Sequence, residues 1–141
     1  MKRNNCCTDD YGPVLNLLIL SLRIAVALLM LTHGIPKLIN LLSGNWSFAD
    51  PIGLGPEISL ILVIFAEVFC SVLILIGYKS RLASMPLIFT MLVALLVVHS
   101  NDPVFDHWNI LLYLLAYGLL LHLGGGKYSL TYYLHTKTIK S

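Results

Sequence analysis

Four apolar blocks, each near the thickness of a bilayer's hydrocarbon core, dominate this chain and leave few folds open to it. They run from Pro13 to about Leu42, from Pro56 to Gly77, from Leu82 to His99 and from about Trp108 to Leu123. A helix needs ~20 apolar residues to cross that core, and the last two blocks lie at the short end of the range. In lipid the backbone must satisfy its own N–H and C=O groups, which leaves only helices and closed barrels. Barrel strands of ~10 alternating residues do not fit the pattern. Only 11% of the 141 residues are charged and 57% are hydrophobic, which excludes disorder and a surface wetted all round. The expectation is an all-α integral membrane protein, a four-helix up-down bundle.

Local signals set the limits of the helices. Pro13 and Pro56 suit first-turn positions, where a missing N–H is harmless. Gly77 and Gly124 suit helix C-termini, and Ser80 is the expected cap of the third helix. Only Tyr78-Lys79-Ser80-Arg81 joins the second and third blocks, forcing an antiparallel hairpin. The first block is interrupted by Arg23 and by His33-Gly34-Ile35-Pro36-Lys37. Its spanning part is expected to end near that cluster, with a short amphipathic tail beyond. The block is longer than a signal core and lacks a small-residue cleavage pattern, so it reads as a retained anchor. The domain reading is an N-terminal segment 1–13, a transmembrane domain 14–124 and a C-terminal tail 125–141.

Basic residues set an orientation. Lys2, Arg3, Lys79, Arg81, Lys127, Lys137 and Lys140 fall on one side of four spans, and only Lys37 falls on the other. Asp50, Glu57, Asp102 and Asp106 accompany Lys37. Both termini are therefore expected in the cytoplasm.

Other function classes are thin. Nine Lys/Arg against seven Asp/Glu, dispersed along the chain, argue against nucleic acid. The cysteines are Cys6, Cys7 and Cys70, with no CxxC and no metal-site spacing. There is no haem-attachment motif, iron–sulfur spacing or dinucleotide fingerprint. Any electron transfer would need a diffusible carrier or a partner.

Charges inside a bilayer are costly and default to paired or functional roles, which singles out Arg23 and Glu67. Counting ~1.5 Å per residue from the cytoplasmic ends places both at similar depth, so an ion pair between neighbouring helices is expected. Two meanings stay open: a strut that fixes register, or a site that binds a polar ligand or relays protons. His33 and Lys37 share an arc of the first helix with Arg23. Gly34 permits close helix approach, and Pro36 interrupts the ladder and frees carbonyls. His33 is a candidate proton carrier or hydrogen-bond partner for a quinone carbonyl, or simply an interfacial helix end. His33, Lys37, His99, Asn109 and Tyr113 form the expected outer-face polar cluster, and no spacing among them demands a metal. Asp106, Asn109, Tyr113 and Tyr117 make one stripe, either a packing face or the lining of a cleft shared with His33 and Glu67.

These pieces resemble the DoxX family of small membrane proteins. The resemblance rests on Arg23, His33-Gly34 and Lys37, then Ala66-Glu67, then Leu75-Ile76-Gly77-Tyr78 through Arg81-Leu82-Ala83. The Gly126-Lys127-Tyr128-Ser129-Leu130 ending completes it, so that it spans about residues 15 to 130. It implies a four-helix protein of the bacterial inner membrane with redox associations. The name-giving relatives are a subunit of an archaeal thiosulfate:quinone oxidoreductase, and some bacterial members are linked to a membrane oxidoreductase complex handling thiol stress. Two positions depart from the family pattern: His107 to Asn109 stand where many relatives carry an acid, and Thr131 replaces a frequent closing Asp. The expected function is a membrane subunit of a quinone-linked or thiol/sulfur-linked redox system, with Arg23 and Glu67 as polar core and His33 and Lys37 at the mouth. Its expected partners are the lipid bilayer and an oxidoreductase subunit or further copies of itself, not nucleic acid. The alternatives are a non-enzymatic membrane anchor or interaction protein, and a small proton-coupled transporter.

Overall fold

A computed structural model describes residues 11–98 and 108–140, without the side chains of Ile139 and Lys140. All regular structure among them is helical: α1 (Pro13–Leu42), α2 (Pro56–Ile76), α3 (Ser80–Val98), α4 (Trp108–Leu123) and α5 (Leu130–Lys140). The first three are long and apolar enough to cross a membrane, while α4 is equally apolar over 16 residues. α1 packs on α2 and α4, and α3 packs on the same two helices. Ile19, Ala27, Met30, Ile74, Leu87 and Leu120 meet in the shared core. On the outside Leu17, Leu28, Ile61, Phe65, Phe89 and Leu115 stand exposed. Helices that are apolar on every face belong in lipid.

Proline opens both α1 and α2, each after a glycine at positive φ, as the missing proline N–H allows. Gly77 ends α2 in the left-handed conformation. The helix limits add detail to the local signals. α1 does not stop at the His33–Lys37 cluster but runs through Pro36 to Leu42. One missing N–H costs a single rung of the ladder, and packing against α2 holds the helix together across it. Ser80 is the first residue of α3 rather than its cap, and Lys79 takes the capping position with φ 45°. The C-terminal segment, expected as a tail, contains α5.

Asp50 starts α2 from a distance. One carboxylate oxygen accepts the Leu54 N–H at 3.0 Å and the Ser59 hydroxyl at 3.0 Å, and the other accepts the Gly55 N–H at 2.9 Å. Desolvation pushes this carboxyl up, but the bonds from Gly55, Ser59 and Leu54 outweigh it and hold the group below the usual carboxylate range. Its stabilising contribution is complete above about pH 4, where an unfolded Asp is ionised, and disappears as pH falls through the lower folded value. The gap in melting temperature between the parent and Asp50→Asn is therefore constant from neutral pH down to about 4 and closes below it.

α1 and α2 approach closely at Gly34. A Cβ there would stand 2.8 Å from Val68 Cγ2 and 2.9 Å from Glu67 Cβ, closer than packed carbons tolerate. By contrast, a Cβ on Gly118 of α4 would meet nothing within 4 Å. Gly34→Val should cost about 1–3 kcal/mol through overpacking, while Gly118→Ala should be neutral or slightly stabilising. Denaturant melts in detergent micelles read both.

Candidate functional site

Gly34 fixes the antiparallel register, and the register decides which charges meet. Because Gly34 lies against Glu67 and Val68, Arg23 stands eleven residues, roughly 16 Å, further along α1. Helical side chains lean toward their own N-terminus, which brings Lys37 back one turn onto Glu67. The expected Arg23–Glu67 ion pair is therefore not formed. Lys37 Nζ instead donates to both Glu67 oxygens, at 2.6 and 2.7 Å. The Glu67 side chain is 4% exposed and that of Lys37 30%.

Arg23 is buried at the other end of α2. Its Nε donates to the Ile74 carbonyl at 3.0 Å and Nη2 to the Leu75 carbonyl at 3.0 Å. Nη1 donates to the Gly125 and Tyr128 carbonyls, both at 2.9 Å. The guanidinium fork thus takes up the last carbonyls of α2, where the helix dipole favours a cation, and pins the Gly-rich turn after α4 beside them. Gly77 must be glycine for two reasons: its φ is 76°, and a Cβ there would strike the guanidinium and stand 2.7 Å from Ser129 Cβ. This is a folding role, away from the Glu67 site.

Glu67 lies within a π-helical stretch of α2, Phe65–Cys70, and α3 closes with a second, Ala94–Val98. Such stretches widen the helix and recur at functional sites. Both border one cavity of about 450 Å³ between α2 and α3. The loop residues Phe48, Ala49, Pro51 and Ile52 contribute a further wall, and Lys37, Glu67, Ser59 and Thr90 are the only polar side chains lining it among the described residues. The Lys37 ammonium lies 5.8 Å from the Phe48 ring centroid, a cation–π contact that ties the loop to the charged pair.

The outer-face cluster is only partly assembled. His33 is exposed and meets Tyr113 edge-on, with centroids 6.1 Å apart. Tyr113 stacks on Tyr117 at 6.0 Å, and both lie within electrostatic reach of Glu67. Asn109 is exposed, so the polar stripe of α4 enters the interior only from Tyr113 onward. His99, Asp102, Asp106 and His107 lie outside the described residues. Among the described residues no group of His, Cys, Asp and Glu is placed to hold a metal. The hydroxyls of Tyr117 and Ser71 are buried beside one another in the interior, and sequence reasoning passed over Ser71, Ser59 and Thr90.

Removing the Arg23 side chain would strand several inward carbonyls at once. Arg23→Leu should lower stability by several kcal/mol, on the order of 3–5. Arg23→Lys should recover only a minor part, since a point charge cannot fill the fork. Unfolding in micelles measures both.

No curated protein and no solved structure shows significant similarity to the chain. The DoxX family model matches residues 18–100, well over half of the sequence and including Arg23, Gly34, Lys37, Glu67 and the walls of the cavity. On that match, the chain belongs to the DoxX family.

Proposed function

We propose that this protein is a membrane component of a redox system and that the Lys37–Glu67 cavity holds the polar head of its lipid-soluble carrier, with a quinone as the first candidate. The observation that carries the reading is a buried carboxylate, paired with a half-buried ammonium, facing an apolar space of about 450 Å³. Pockets of that size and character hold small molecules, with a few polar groups setting their orientation. The ammonium can donate to a quinone carbonyl, and the neighbouring carboxylate can hold or release a proton as the carrier changes redox state. The sequence carries no haem-attachment, iron–sulfur or dinucleotide motif, so in this reading a diffusible carrier or a partner brings the electrons. Redox roles among the name-giving relatives point the same way.

The proposed setting is the bacterial inner membrane, with α1 to α4 as an up-down four-helix bundle and both termini cytoplasmic. The grouping of Lys79, Arg81, Lys127 and Lys137 on one side supports that orientation. Arg23, expected in the polar core, is assigned instead to holding the cytoplasmic end together.

A second reading, a non-enzymatic anchor for partner proteins, is favoured by how completely Lys37 and Glu67 satisfy one another. The double variant Lys37→Met, Glu67→Leu separates the two. Replacing both charges by apolar groups of similar size is often tolerated or stabilising. If the cavity binds a carrier, the folded double variant retains quinone roughly tenfold more weakly, the equivalent of one lost hydrogen bond. Quinone extracted from purified protein and quinone reduction in membranes are the measurements. Unchanged retention with intact partner assembly would establish the anchor reading instead.

A further inference from the structure

The walls of the cavity indicate how a guest reaches it and what charge the guest carries. Leu62 and Phe65 on α2, and Phe89 and Val98 on α3, line the cavity and are also exposed on the outside. Both helices have the length and hydropathy to cross a membrane, so these four side chains face acyl chains. The rim they make is entirely apolar. A water-soluble ligand would have to shed its hydration shell to pass it, whereas a molecule already dissolved in the bilayer loses nothing.

Charge narrows the class further. Lys37 and Glu67 cancel, and the other polar lining groups, Ser59 and Thr90, are neutral. An anionic head would find its countercharge already taken and a carboxylate beside it, and a cationic head would meet the ammonium. Either would be an unpaired charge in an apolar space, which is expensive. An uncharged acceptor meets no such obstacle. The ammonium has three N–H donors, and among the described residues two are given to Glu67. The third remains for a guest oxygen.

We infer that the cavity is a lateral receptor for an uncharged, bilayer-dissolved amphiphile that enters between α2 and α3 and presents a carbonyl oxygen to Lys37. The inference rests on the functional reading above for the place of the site, and not on any electron transfer. The cavity takes the head and the first part of the tail, and the rest of the tail trails into lipid. Membrane fatty acids and amines, the commonest competitors with similar tails, are rejected by charge and not by shape.

The test uses the full-length protein in nanodiscs and three photoactivatable probes with one diazirine-bearing dodecyl chain: a methyl ketone, a carboxylate and a primary amine. The ketone should label peptides covering residues 62–67 and 86–98 roughly tenfold more than the carboxylate or the amine. Ala94→Trp, which fills the cavity, should abolish that preference while leaving background labelling of α4 unchanged. Val63→Phe serves the same purpose should the first variant fail to fold. Equal labelling by the three probes, a preference for either charged probe, or labelling indifferent to the filled cavity overturns the proposal. Selective ketone labelling with no quinone retained would sink the redox reading and leave this one standing.

Discussion

The end of this protein that carries Gly77 and the Gly124–Gly126 turn depends on one buried guanidinium. Arg23 gathers carbonyls from the end of α2 and from the turn that follows α4, segments about fifty residues apart in the chain. Neither segment can satisfy these oxygens alone. The C-terminus of a helix leaves its last carbonyls open, and the Gly124-Gly125-Gly126 turn has no ladder of its own. An arginine fits because its several donors are fixed in one plane. The glycines follow from the same demand, since at Gly77 and Gly125 the guanidinium, Ser129 and Ser80 occupy the space a side chain would need.

With that end closed, the register of α1 against α2 is set by Gly34, and the second charged pair follows from it. Arg23 and Lys37 are both residues of α1, and both reach α2. One arrives at the end of α2 and the other at its middle. The two cations thus divide the work: one holds the fold, and the other faces the cavity beside Glu67. Asp50 extends the arrangement outward, fixing the first turn of α2 and the loop that passes over the cavity.

Much of this was legible in the sequence. The helix-opening prolines, the glycine at the end of α2 and the short hairpin each rest on local chemistry, and each stands where that chemistry places it. The importance of Arg23, Glu67 and Gly34 was legible too, because lipid makes any polar or missing side chain conspicuous. The partner of Glu67 was not. Depth counted from Pro13 assumed that α1 and α2 begin level with the bilayer edge. In fact the first turns of α1 extend past the end of α2, where Asn16 accepts the Lys127 N–H. Lys37 was singled out at the mouth of the site, but not as the partner of Glu67. The cavity left no sequence signal at all, since its walls are ordinary Phe, Val, Ala and Met, and helices of that composition pack tightly as often as they stand apart.

Gly34 has a mechanical consequence as well. At that crossing the backbones of α1 and α2 come so near that no atom separates them from each other's side chains, and interfaces of this density yield little to strain. Across α2 the opposite holds, for its seam with α3 is interrupted by empty volume and bordered by two wound-out turns. The two flanks of α2 therefore differ in kind: one is filled to contact by α1, and the other leaves room beside Glu67 for a guest.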